Sequence, residues 1–171
     1  SSQESEYIVA IHSSGQHLLK LIGDVLDLSK LNAGARSLEK EPFTILELME
    51  ECRNTFEVAC QDKGVSLNID NQLKGAYPVL SDITVLKQIL YNLLGNAVKF
   101  TQQGSISLTA VPYVAEGIDP NPNLGIMFIV ADTGKGINAD AIGTLFDPFT
   151  QEDNGITRSF GGSGLGLNIA Q

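Results

Sequence analysis

Asn92-Leu93-Leu94-Gly95-Asn96-Ala97-Val98-Lys99-Phe100-Thr101 is the stretch on which the reading of this chain turns. Its apolar positions, taken with those just upstream, are Leu86, Ile89, Leu90, Leu93, Leu94 and Val98, the spacing of one buried face of an α-helix. Ser81-Asp82 offers that helix an N-terminal cap. Asn92, Asn96 and Lys99 then share another face, at spacings of four and three. A neutral amide oxygen suits Mg²⁺ when the phosphates of a ligand supply the anionic donors, and an ammonium meets a phosphate as a point charge. A solvated helix face would group the same residues, so the segment alone leaves both readings open.

Downstream, residues 105–115 and 124–131 are rich in β-formers and are separated by a Gly/Pro/Asn loop around residues 117–123, so two paired strands are expected. The second runs into Asp132-Thr133-Gly134-Lys135-Gly136-Ile137. A carboxylate held at a strand end can accept from an exocyclic amine, and two glycines let a ligand approach the backbone; a plain β-turn uses the same residue types. Leu145-Phe146-Asp147-Pro148-Phe149 places two aromatics around a proline, as core packing or a hinge would. From Gln151 to Ser163 the chain is polar and aperiodic, the pattern of a mobile lid. Gly161-Gly162-Ser163-Gly164-Leu165-Gly166-Leu167 can expose a row of backbone N–H groups leading into a helix, an anion cradle. A dinucleotide-binding βαβ unit would need a strand before those glycines, whereas Asn154 to Phe160 is polar loop, and the G-x-x-x-x-G-K-[ST] pattern is missing.

Upstream, Ile8, Ile11, Leu18, Ile22 and Val25 form a helical stripe widened by Leu19, Leu21, Leu26 and Leu28, too broad for a lone helix in water, so a partner helix is expected. The helix should end near Asn32-Ala33-Gly34, with Pro42 blocking its continuation. A second helix should start at Thr44, with Glu47 completing a capping box and Phe43 and Leu48 a hydrophobic staple, and run to about Asp62. Lys63-Gly64 makes a turn into a half-buried strand at Val65, Leu67 and Ile69. Cys52 and Cys60 share a helix face with no further Cys or His at metal-ligand spacing, which reads as buried free thiols.

The chain has 171 residues, 43% hydrophobic and 18% charged, with a net charge of −9, a globular profile of one domain plus an appendage. That charge argues against a nucleic-acid partner, which needs clustered Lys and Arg. No apolar run reaches the roughly 18 residues of a membrane span, and the polar start lacks a signal-peptide layout; a cytoplasmic protein is expected.

The order of these motifs resembles the ATP-binding domain of two-component sensor histidine kinases, most closely the hybrid type. Residues 13–34 are likewise similar to the second helix of that family's dimerisation domain. The resemblance implies an α+β fold, a two-layer sandwich of mixed sheet covered by helices, preceded by one long dimerisation helix. Residues 1–36 would belong to the dimerisation domain and 37–171 to the ATP-binding domain, with ATP and Mg²⁺ as ligands. Asn96 would ligate Mg²⁺, Asn92 would lie beside the phosphates, and Lys99 would lie on the phosphate chain. Phe100 would also touch the nucleotide. Asp132 would bind the adenine amine, and Gly134, Gly136 and Ile137 would shape the pocket. Phe146 and Phe149 would couple the lid to the helices, with Phe149 reaching ATP. Gly162, Ser163, Gly164, Leu165 and Gly166 would cradle phosphates, with Arg158 of the lid as a further contact. The implied partners are a second copy, through the N-terminal helix, and a response-regulator receiver domain.

The departures are as informative. The family's acceptor histidine, followed by an acidic residue and a Thr-Pro or Asn-Pro step, does not occur: His12 precedes Ser13-Ser14 and His17 precedes Leu18-Leu19. The first dimerisation helix and the last strands of the ATP-binding domain are also not represented, and Val85 stands where many members carry arginine. The chain is therefore expected to bind ATP without phosphorylating itself. Two other readings stay open: an interaction module with a vestigial site, and another ATPase of the same superfamily, of the gyrase B or MutL kind.

Overall fold

The computed structural model describes residues 7–8, 11–12, 14–15, 18–19, 22–23, 38–73, 77–114 and 124–143. Residues Leu38–Asp140 form one compact unit, and the helical residues between 7 and 23 belong to another. Within that helix Ile8, Ile11, Leu18 and Ile22 are exposed. The expected helix end at 32–34, the loop at 117–123, Phe146, Phe149 and everything from the lid onward lie outside the described residues.

The compact unit begins with β1 (Glu41–Thr44), which passes directly into α1 (Ile45–Lys63). The junction is a capping box: Glu47 N–H donates to Thr44 Oγ1 at 3.2 Å, and Thr44 N–H donates to Glu47 Oε2 at 3.0 Å. Two of the donors a helix start leaves unpaired are thereby used. At the far end Gly64 N–H bonds to the carbonyls of Cys60 and Gln61. Ile45, Leu48, Met49, Cys52 and Cys60 are buried, the three-to-four spacing of a single face. Lys63 Nζ reaches across to the Val98 carbonyl at 2.5 Å.

β2 (Val65–Asn71) follows, then β3 (Pro78–Ser81) and α2 (Ile83–Phe100). Asp82 caps α2, its Oδ1 accepting from Val85 N–H at 3.0 Å, while its Oδ2 accepts from Glu39 N–H at 3.2 Å. β1 and β3 pair antiparallel as a separate two-stranded ribbon, which the sequence reading did not anticipate. Both strands are four residues long and carry a proline, so neither shows the alternating run by which strands are recognised.

β4 (Gly104–Val114) and β5 (Leu124–Asp132) complete the sheet, and the short α3 (Ala139–Ile142) comes after. The sheet order is β2-β4-β5, with β2 parallel and β5 antiparallel to β4. It is the mixed sheet expected. Ile106, Leu108 and Ala110 are fully buried beneath the helices, flanked by Leu67 and Ile69 on one side and Ile126, Phe128 and Val130 on the other. Alternate residues Ser66, Asn68, Asp70, Met127 and Ile129 are exposed, so one face of the sheet is covered and the other is open, as a two-layer α+β sandwich requires.

One detail of α2 departs from expectation. Leu90, Leu94 and Ala97 are its buried residues, whereas Ile89 and Leu93 are half-buried. At about 100° per residue, Leu90, Leu94 and Ala97 form one stripe, and Ile89 and Leu93 lie round the flank toward Asn92 and Asn96.

Candidate functional site

The face of α2 turned from that stripe carries Asn92, Asn96 and Lys99, all half-buried. Half-burial is shared by most of the helix, so it is their common face and not their exposure that groups these residues.

Asp132 ends β5, and its register partner is Ile106 of β4. Its Oδ1 accepts from Gly134 N–H at 2.8 Å, the local bond by which aspartate organises a turn. With Oδ1 engaged, Oδ2 of this exposed residue is the oxygen left to accept from a ligand. Gly134 is tied to a second element. A Cβ at this position would lie 2.7 Å from the Phe100 carbonyl oxygen and 2.8 Å from Asp132 Oδ1, so nothing larger than hydrogen fits. The loop after β5 is thereby seated against the C-terminal end of α2, bringing the two sequence motifs to one place. Gly136 follows at φ 71°, and Ile137 is exposed.

Charge converges on the same corner. Lys99 Nζ lies 4.9 Å and Lys135 Nζ 5.2 Å from the centroid of the Phe100 ring, within the range of cation–π attraction. In a chain of net charge −9, two ammonium groups at one ring form a local basic spot. Thr101, the residue after Phe100, is fully buried, and among the described residues its hydroxyl has no hydrogen-bond partner. A buried hydroxyl left so costs about 1–3 kcal/mol.

Among the described residues no three His, Cys, Asp or Glu side chains are grouped to hold a metal. A divalent ion here would take most of its ligands from a bound molecule and water. Cys52 and Cys60 are free and buried as expected; the Cys52 thiol is pushed up to about 11, first by burial and then by the Glu51 charge.

The structure thus gathers Phe100, Asp132 and Gly134 at the end of the helix that carries Asn92, Asn96 and Lys99. Phe149, Arg158, Gly162, Ser163, Gly164, Leu165 and Gly166 lie outside the described residues. Sequence reasoning missed Lys135 and Thr101. Each stands at a position where composition gives no signal; Lys135 gains its place from the loop's contact with α2, and Thr101 from its burial at the end of that helix.

The family profile described as Histidine kinase-, DNA gyrase B-, and HSP90-like ATPase matches residues 81–171. The chain is 39% identical over 171 residues to the autoinducer 2 sensor kinase/phosphatase LuxQ of Vibrio parahaemolyticus, covering 100% of this chain and 20% of that protein. It is 40% identical over 173 residues to the circadian input-output histidine kinase CikA of Synechococcus elongatus, 100% of this chain and 22% of the other. Among solved structures, full-length ShkA in complex with AMPPNP aligns with a TM-score of 0.78 at 36% identity, over 99% of this chain and 33% of that one. The chain spans about a fifth of the length of these two curated relatives. Its fold and these likenesses together place it: the chain belongs to the histidine kinase-, DNA gyrase B- and HSP90-like ATPases, on their sensor histidine kinase branch.

Proposed function

We propose that residues 37–171 hold Mg·ATP for a sensor histidine kinase and that the γ-phosphoryl passes to a histidine outside this chain, then to a receiver aspartate. Residues 1–36 are, on this reading, the second helix of the dimerisation domain, and their exposed Ile8, Ile11, Leu18 and Ile22 suit a second copy. Among the described residues no helix is long and apolar enough to cross a membrane. ATP is supported by the family and by the ATP analogue in the ShkA complex.

The observation that carries the reading is Gly134. Only a position without a side chain allows the Asp132 loop to sit on the Phe100 carbonyl, and this joins a base-reading carboxylate to the helix of amides. Asp132 Oδ2 would accept from the adenine amine. Lys99 and Lys135 would meet phosphate oxygens, and the Asn92 and Asn96 amides would face the phosphate end. Asn96 would supply a neutral oxygen to Mg²⁺, which when bound neutralises phosphate charge. These residues bind and orient; none is a phosphoryl acceptor. Catalysis in such a site is positioning and electrostatics.

Calorimetric titration with ATP and Mg²⁺ tests this, on the chain and on Asp132→Asn and Asn96→Ala. Binding that requires Mg²⁺ and weakens in both variants is expected. A folded chain that binds no ATP, or binds it regardless of both substitutions, would sink the proposal.

A further inference from the structure

Thr133 stands between Asp132 and Gly134. Its bonds run to one short stretch, Gln103 in the turn after α2 and Ser105 at the start of β4. Thr133 Oγ1 accepts from Ser105 N–H at 3.0 Å and donates to the Gln103 carbonyl at 3.3 Å. Its backbone N–H donates to the Ser105 carbonyl at 3.1 Å. One residue thus closes three bonds, the two of its hydroxyl spanning 28 and 30 positions in sequence. The opposite wall is Gly104. It adopts φ 107°, and a Cβ there would overlap Thr133 Oγ1, so the turn is both conformationally and sterically reserved for glycine. The hydroxyl occupies the space that a side chain at 104 would take.

Thr133 therefore fixes Asp132 from the side that Gly134 does not reach. Gly134 seats the loop on the Phe100 carbonyl, and Thr133 ties it to the turn three residues further on. With both in place the Asp132 carboxylate has little freedom to slide along or rotate about the strand end. A carboxylate that reads one amine needs such restraint, because hydrogen-bond strength falls steeply with angle. Without it the base would still be held by its phosphates, but the choice of base would relax.

We infer that Thr133 is a positioning residue that sets the selectivity of Asp132 for a 6-amino purine, acting through its clip on Gln103, Gly104 and Ser105. This rests on the nucleotide reading proposed above. It predicts that base selectivity and overall affinity separate. The hydroxyl is removed without change of shape in Thr133→Val and retained in Thr133→Ser. Gly104→Ala breaks the same clip from the β4 side.

The experiment is calorimetric binding of ATP and of purine riboside triphosphate, which lacks the 6-amino group, by the whole chain and each variant, with thermal unfolding as the check on folding. Wild type should prefer ATP. Thr133→Val should lose that preference by about fivefold to tenfold, the size of one displaced hydrogen bond, while binding of the analogue changes little. Thr133→Ser should restore the preference, and a folded Gly104→Ala should move it in the same direction as Thr133→Val. Equal weakening of both nucleotides in Thr133→Val, or a preserved preference in it, overturns the inference and leaves the nucleotide reading standing. If Thr133→Val does not fold, a folded Gly104→Ala that keeps the full preference overturns it equally. No ATP preference in wild type would instead refute the role given to Asp132.

Discussion

Gly134 carries more of the site than any charged residue in it, because it decides whether the parts meet. Replacement by alanine puts a methyl within 2.7 Å of a backbone oxygen, a neighbour that cannot swing aside as a side-chain end can. Gly134→Ala should cost about 1–3 kcal/mol in overpacking and abolish measurable ATP binding. Chemical denaturation and calorimetry on one sample check both, and wild-type affinity in the variant would show that the loop need not touch α2. A second residue-scale effect concerns Cys52, whose thiol stands at about 11 against an ordinary value of 9.0. A thiol whose folded value is raised stays protonated longer in the folded state. Its contribution is fully present below pH 9 and is lost as pH rises toward 11, since there the unfolded chain has released the proton that the folded one retains. Denaturation midpoints across that range should fall in the wild type by more than in Cys52→Ala, with a difference in slope of at most about 1.4 kcal/mol per pH unit.

Helix ends and cross-links govern the elements. Asp82 uses one oxygen to cap α2 and the other to hold Glu39 N–H, so the helix start and the segment leading into β1 depend on one carboxylate. Asp82→Ala should cost about 0.5–2 kcal/mol, whereas Asp82→Asn, which retains an acceptor, should cost less; urea melts separate the two. Between α1 and α2, Lys87 Nζ lies 2.6 Å from Glu51 Oε2, and Tyr91 Oη donates to Glu51 Oε1 at 3.3 Å while its ring meets Phe56 edge-on at 5.6 Å. The ion pair is partly exposed, so Lys87→Met should change stability by less than about 1 kcal/mol. These elements also show what could be read beforehand. Thr44 and Glu47 announced α1, and Asp82 announced α2, because caps are local chemistry between neighbours in sequence. The β1–β3 ribbon was invisible, since its strands are too short and proline-bearing to show a period and find each other only across the fold. The same division runs through the site. Asn92, Asn96 and Asp132 stand in recognisable spacings, while Lys135 and Thr133 acquire meaning only from contact with Phe100 and with residues 103–105, distant in sequence.

At the scale of the molecule, the chain holds a nucleotide-binding arrangement and two histidines, His12 and His17, neither in the setting of an acceptor. Incubation with γ-labelled ATP should leave the chain unlabelled on histidine while calorimetry shows binding; acid-labile label on His12 or His17 would contradict the separation proposed between the ATP site and its acceptor. The topology adds a consequence in time. β2 and β4 are parallel neighbours, with Val65 opposite Gly104, and everything between them, α2 included, is the crossover that joins them. Closing so long a loop delays assembly. α2 can coil early on its own account, but its C-terminal end meets the loop of Asp132 and Gly134 only once β4 has docked beside β2 and β5 has folded back on β4. The contact between that loop and α2 is therefore among the last things to exist when the chain refolds from denaturant. A fluorescent ATP analogue added during refolding should report binding no sooner than the sheet signal matures, and a binding-competent species that precedes the sheet would reverse that order.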